Sequence, residues 1–286
     1  MKPAAFDYKS PTSLQEAISF LQAGQGNAKL ISGGQSLMPL LAFRLAAPET
    51  LVDLKHVPDL GAIAIDAEGV RLGARVRWCD IARSTQLAAA HPLLAEAITH
   101  VAHYQVRNRG TVGGSLAHAD PSAEMPGVAL TCDAQISIAG PDGVRVENAA
   151  DFFTGPLETS LASDEVLTSV LLPAWPVTRR WAFKEFARRK GDFAMAGVAL
   201  FYDPDESGRA TNVHIGAIGV ADTPVRLTGA EGVLSGQAVT DQAIAAVAAA
   251  AKAEIDPPSD IHAPSAYRKG LLSTLVVRAL AEAAAR

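Results

Sequence analysis

The sequence predicts an α+β chain organised in two parts, and three observations lead there. Through position 176, short apolar runs alternate with helix-start signals and loops. Past Pro173-Ala174-Trp175-Pro176, where two close prolines disfavour regular structure, three long strand-like runs precede two helical stretches. The first part also holds two Gly-Gly stretches. One is Lys29-Leu30-Ile31-Ser32-Gly33-Gly34-Gln35-Ser36-Leu37, and the other is Arg107-Asn108-Arg109-Gly110-Thr111-Val112-Gly113-Gly114-Ser115. With 286 residues, 49% of them hydrophobic, the chain has ample material for a core.

The elements follow in chain order. Ser13 and Glu16 make a capping-box pattern, and Leu14, Ala17, Ile18 and Leu21 continue it as an apolar helical stripe that Gly24 should end. A short strand at Lys29 to Ile31 leads into the first glycine stretch, and Leu51 to Leu54 reads as another strand. Ala62 to Ile65 and Val70 to Ala74 flank Ala67-Glu68-Gly69 as a hairpin. A short helix is expected over Asp80 to Thr85, and a longer one from His91-Pro92 to about His103. After the second glycine stretch, Pro121 to Pro126 should open a helix toward Leu130. Ala134 to Ile138 and Val144 to Glu147 form a hairpin around Gly140-Pro141-Asp142-Gly143, and Val166 to Leu172 is the last strand of this part.

In the second part, Trp181 to Arg188, Val198 to Asp203 and Thr211 to Ile218 read as antiparallel strands, with Pro204 to Gly208 turning between the last two. Helices are expected over Thr240 to Glu254 and from Ser265 to the end. This reads as a small three-stranded sheet with helices on one side.

Composition excludes several functions. The net charge is −5 and the cations are dispersed, so nucleic acid is a poor partner. Cys79 and Cys132 are the only cysteines, too few for a disulfide framework or an iron–sulfur cluster on this chain. The seven histidines form no zinc pattern. The start has no signal-peptide core, and the most apolar run, Ala243 to Ala251, is too short to span a bilayer. A cytoplasmic chain with no membrane span is expected.

The glycine stretches carry the functional reading. Glycine permits positive φ and close approach to the backbone, and successive free N–H groups make a concave nest for an anion. Two nests suit a ligand with a diphosphate in its middle, such as a flavin dinucleotide. Neither stretch is a G-x-G-x-x-G or a P-loop, and either alone also reads as a tight turn.

Ser32 to Leu37 and Arg107 to Ser115 resemble the two FAD loops of the molybdenum hydroxylases, in the medium subunit typified by carbon monoxide dehydrogenase and shared with xanthine dehydrogenases. The resemblance extends to Phe183-Lys184-Glu185-Phe186, to Arg189-Lys190-Gly191-Asp192-Phe193-Ala194 and to Ser265-Ala266-Tyr267-Arg268. It implies an FAD-binding domain of the vanillyl-alcohol-oxidase (PCMH) type over 1–176, with lobes of about 1–56 and 57–176. A C-terminal domain of the carbon monoxide dehydrogenase flavoprotein type follows over 177–286. It also implies an electron-transfer role. A large partner with a molybdopterin cofactor hydroxylates substrate, a small partner carries two [2Fe-2S] clusters, and this chain's FAD passes the electrons to an external acceptor. Relatives form dimers of three-chain units.

By the same resemblance, Leu30, Ile31, Ser32, Gly33, Gly34, Gln35, Ser36 and Leu37 wrap the diphosphate, and Thr111, Val112, Gly113, Gly114 and Ser115 cover the other side. Glu124 stands where the family usually has an Asp that holds flavin hydroxyls. Val101 and Leu167 align with apolar contacts to the rings, Lys184 with a lysine at the flavin's polar edge, and Phe193 with a Tyr of some relatives. No residue is assigned a catalytic role, and no metal site is expected on the chain. Two alternatives stand beside this reading: a free-standing flavin oxidoreductase of the same fold, and a flavin-free assembly subunit. Locally, Asp120 reads as a helix N-cap, His118 as a loop hydrogen-bonder and the two cysteines as inert core thiols.

Overall fold

The computed structural model describes residues 2–286. Three sheets succeed one another along the chain. The first is parallel, in the order β1 (Asp7–Lys9), β3 (Thr50–Asp53), β2 (Ala28–Ile31). Helix α1 (Leu14–Ala23) joins β1 to β2, and short α2 (Leu37–Ala42) follows β2. Helix α1 starts as expected: the Ser13 hydroxyl accepts from the Glu16 N–H at 3.1 Å. The Glu16 carboxylate, however, takes the Thr12 N–H at 2.7 Å rather than that of Ser13. Gly24 stays right-handed, and the left-handed turn falls one residue later, on Gln25 and Gly26.

The second sheet is antiparallel, in the order β4 (Ile63–Asp66), β5 (Gly69–Gly73), β10 (Val166–Pro173), β6 (Gln135–Gly140), β7 (Gly143–Asn148). Both expected hairpins are present in it. Between β5 and β6 lie six short helices: α3 (Trp78–Arg83), α4 (Thr85–Ala90), α5 (Pro92–Ile98), α6 (Tyr104–Arg107), α7 (Val112–His118) and α8 (Glu124–Thr131). The helix expected from His91 to His103 therefore stops at Ile98, and Ala102 turns left-handed with φ +40° before α6. His91 caps α5 through Nδ1, which accepts the Leu94 N–H at 3.2 Å, and its ring packs 4.5 Å from that of Trp175. Complete burial pushes the His91 pKa down to about 3. Asp120 does not cap α8. Its carboxylate closes a turn on the Ser122 N–H at 2.8 Å, and Ala123 occupies the cap. The His118 ring has no hydrogen-bond partner among the described residues. Helix α9 (Ala149–Phe152) and the small pair β8 (Phe153–Gly155) and β9 (Glu158–Thr159) complete this region.

The third sheet has four strands, one more than expected: β11 (Arg180–Phe186), β12 (Ala196–Pro204), β13 (Ala210–Ile218) and β14 (Val225–Arg226). The added strand is two residues long, paired with Gly216 and Ala217, too short to show a period. Helices α10 (Thr228–Leu234), α11 (Asp241–Glu254) and α12 (Ser265–Ala285) cover one face. Ala182, Val198 and Leu200 point into that helical layer, where α12 contributes Leu272, Leu275, Val276 and Leu280. Trp181, Phe183, Phe201 and Ile218 face the opposite way and join the core of the second sheet. Helix α8 lies in this middle layer and is buried all round from Met125 to Thr131. Arg268, itself buried, locks α12 onto the sheet by donating to the carbonyls of Met195 and Gly219 at 2.7 and 2.8 Å. Both cysteines are buried, and burial pushes the Cys132 pKa up to about 12.

Candidate flavin site

The first glycine stretch leaves the carboxyl end of β2 and enters α2. Gly34 sits at φ +72°, a conformation a side chain would strain. The N–H groups of Gly33, Gly34, Gln35 and Ser36 find no acceptor among the described residues. The Ser36 hydroxyl makes no capping bond to α2. Four adjacent donors at the start of a helix are left open to an acceptor from outside the chain.

The second stretch has the same composition and a different structure. Gly113 and Gly114 lie inside the first turn of α7. The Val112 N–H goes to the Val76 carbonyl at 2.9 Å, the Gly113 N–H to the Ala74 carbonyl at 2.8 Å and the Ser115 N–H to the Thr111 carbonyl at 3.0 Å. The Gly114 N–H goes to the Thr111 hydroxyl at 3.2 Å. These donors are spent, so this stretch is not a nest. Its glycines serve close packing: a Cβ on Gly113 would fall 2.6 Å from that of Ala74, and one on Gly110 would fall 2.7 Å from the Trp78 ring nitrogen.

The two stretches meet, although 79 positions separate Ser32 from Thr111. The Thr111 hydroxyl donates to that of Ser32 at 3.2 Å, and Gly33 presses on the Arg109 carbonyl so closely that a Cβ would overlap it. Beside this contact a cleft of about 510 Å³ opens between the first and second sheets. Lys55, Arg75, Arg77 and Arg109 line it, against Asp53 and Asp80. Asp80 grips Arg77 in a fork of 2.9 and 3.0 Å, which holds its carboxyl below the usual range. Arg75 donates to the Lys55 carbonyl at 2.6 Å. Four cations against two acids favour an anion.

The other expected residues divide. Val101 and Leu167 lie in the second-sheet core, 8% and 4% exposed. Glu124 opens α8, half-buried, and its pKa is pushed up to about 8 by burial first, then by the nearby charges of Glu185 and Asp120. Phe193 stands in the β11–β12 connection with 68% of its surface exposed. Lys184 is not brought to the two loops: strand alternation turns it to the helical face, where its ammonium pairs with Glu282 of α12. Its neighbour Glu185 takes the inward side with Phe183. Sequence reasoning missed Glu185, His100 and the cleft cations. Only the alternation of β11 around buried Phe183 carried a signal for the first.

Residues 4–175 match the family of FAD binding domains in molybdopterin dehydrogenase. Residues 181–283 match the CO dehydrogenase flavoprotein C-terminal domain. The chain belongs to the FAD-binding medium subunits of the molybdenum hydroxylases. It is 39% identical over 286 residues to the nicotine 6-hydroxylase medium subunit of Paenarthrobacter nicotinovorans, covering 100% of both chains. Among solved structures it is similar to quinoline 2-oxidoreductase from Pseudomonas putida 86, with TM-score 0.95 and 40% identity over 100% of this chain and 99% of that one. Carbon monoxide dehydrogenase from Hydrogenophaga pseudoflava matches with TM-score 0.96 and 36% identity over the same shares. Medium subunits of this kind work in multi-subunit oxidoreductases. No helix among the described residues is long and apolar enough to cross a membrane.

Proposed function

We propose that FAD lies across the junction of the two stretches. The backbone donors of Gly33 to Ser36 hold its diphosphate, with Leu30 to Ser32 and Leu37 completing that wall. Thr111 to Ser115 form the opposing wall through shape rather than donors. Glu124 accepts from flavin or ribose hydroxyls, Val101 and Leu167 pack on the ring systems, and Phe193 covers the isoalloxazine without a hydroxyl of its own. Lys184 is left out of this set, because Glu282 holds its ammonium. The observation that carries the reading is the unspent donor row of the first stretch, pinned against the Arg109 carbonyl. The residues fit the cofactor: a nest and a cationic cleft adjoin, and a Cβ at Gly33 would spoil the contact.

Bound there, FAD supplies a carrier for two electrons, and the protein positions and tunes it. We further propose that the electrons arrive from two [2Fe-2S] clusters on a small partner. A large molybdopterin partner oxidises the substrate, and an external acceptor removes the electrons. The complex is a dimer of three-chain units in the cytoplasm. Two buried, unpaired cysteines support placing the clusters elsewhere and suit a reducing compartment. The proposed division at residue 176 is supported by the separate second and third sheets. Flavin titration of the purified chain tests the core of this reading. One FAD per chain is expected, and a chain that stays colourless would contradict it. Purification from its source should bring down a molybdenum chain and an iron–sulfur chain.

A further inference from the structure

The cofactor placement leaves most of the cleft beside the glycine junction without a role. Of the residues in that placement only Ser32, Gly33 and Thr111 line it, and other side chains build the rest of the wall. It sits at the carboxyl end of the parallel sheet. Strand β2 runs into Ser32 and Gly33, and β3, paired to β2 through Asp53 and Ile31, runs into Lys55. The two acids of the cleft are already engaged. Asp80 holds Arg77 in its fork. Asp53 accepts from the Tyr8 hydroxyl at 2.6 Å, and the Lys55 ammonium donates to that hydroxyl at 2.9 Å. Arg75 and Arg109 have no ion-pair partner among the described residues. Arg75 gives one nitrogen to the Lys55 carbonyl. The Arg109 side chain is exposed and makes no hydrogen bond among the described residues. The cleft thus carries a surplus of two positive charges on a chain whose net charge is −5.

A small ligand is a poor match to such a wall. Small-molecule sites are lined mostly by apolar and aromatic side chains, with a few polar groups that fix orientation. No apolar side chain lines this cleft. Guanidinium groups without a counter-charge suit carboxylates instead, which they bind through two parallel hydrogen bonds. Around the arginines, Tyr8 beside Lys55 and the exposed Met38 and Phe43 of the segment that follows Gly33 add the aromatic and apolar area that protein interfaces use. An electron donor must also come close to the cofactor, and the cleft shares Ser32, Gly33 and Thr111 with it. We propose that the cleft is the docking site for a carboxylate-rich segment of the iron–sulfur partner, facing Arg75 and Arg109. Its carboxylates supply the counter-charge that this chain lacks, and the positive surplus steers the encounter before contact. The identity of the occupant rests on the function proposed above.

The test follows association of the iron–sulfur partner, separated from the complex, with the FAD-loaded chain at increasing salt. The wild-type rate should fall at least about tenfold between about 0.01 and about 1 M ionic strength, as screening removes the steering. A Lys55→Glu, Arg75→Glu double variant should associate at least about tenfold more slowly at low salt and match the wild type at about 1 M. Lys55→Arg with Arg75→Lys should keep the salt dependence. Flavin content is read first and should be the same in all three chains, because neither residue belongs to the cofactor set. A wild-type rate indifferent to salt overturns the proposal, as does a double variant that is not slowed or is slowed equally at every salt concentration. Inorganic pyrophosphate serves as the competing probe. Saturable binding of it to the FAD-loaded chain, lost in the double variant, would make the cleft a small-anion site and also overturn the proposal. A wild-type chain that takes FAD and binds no iron–sulfur partner contradicts the function proposed above, and the docking site falls with it. Partner binding that survives charge reversal removes the docking site alone.

Discussion

The two Gly-Gly stretches are near twins in composition and opposites in use. In Ser32 to Ser36 the donors are left open and the backbone itself is the binding surface. In Thr111 to Ser115 every donor from Val112 onward is consumed within the chain, and Gly113 is there because Ala74 leaves no room for a side chain. A Gly-Gly pair thus marks close approach of something to the backbone. Whether that something is a ligand or the protein depends on where the N–H groups go.

Substitutions should separate the two uses. The largest effect is expected at Gly33→Val, which would push the Arg109 carbonyl away and part the stretches. FAD affinity should fall by at least about 100-fold, roughly 2.8 kcal/mol, and the denaturation midpoint should fall with it, because the added Cβ overlaps a backbone oxygen. Fluorescence titration beside a urea melt checks this, and retained affinity would sink the nest. Gly113→Ala should act on the fold alone. Its Cβ meets Ala74 at 2.6 Å, so stability should drop by about 1–3 kcal/mol. Flavin should be lost only as the fold is lost.

The wall formed by the second stretch should also carry the pH dependence. Residues 30–37 contain no titratable side chain, whereas α7 leads on to α8 and Glu124. With its pKa raised to about 8 in the fold, Glu124 keeps its proton in the native state. Below the ordinary carboxyl range both states are protonated and nothing is lost. As pH climbs toward 8 the unfolded chain ionises freely and the native one resists, so apo stability should fall, by about 1.4 kcal/mol per unit of maintained shift. Glu124→Gln should flatten that slope in melts from pH 5 to 8, and an unaltered slope would assign it elsewhere. The smallest effect is expected at Gly114→Ala. Its Cβ meets only the Thr111 hydroxyl, at 2.8 Å, and alanine gains up to about 1 kcal/mol of helix propensity. Stability and flavin content should both stay close to wild type.

Much of this was legible in the residues, and the failures share a cause. Ser13, the two hairpins and the long strands of the third sheet announce themselves through local chemistry and period. Gly33 and Gly34 were legible as a tight turn with open donors because a strand precedes them and hydroxyls surround them. Gly113 and Gly114 were misread because the carbonyls that take their region's donors belong to Ala74 and Val76, far back in the chain. The break after Ile98 is made by Ala102 at positive φ, with no glycine or proline to signal it. Lys184 was placed at the flavin by resemblance. Which face of β11 looks inward is decided by what packs on each side, and a strand pattern alone cannot say that.

Amide hydrogen exchange, with and without FAD, tests the contrast most directly. The account predicts that Gly33, Gly34, Gln35 and Ser36 exchange quickly in the apo chain and become protected when FAD binds. Val112 to Ser115 should be protected in both states. Protection arising at Val112 to Ser115 on binding, with Gly33 to Ser36 unmoved, would contradict it.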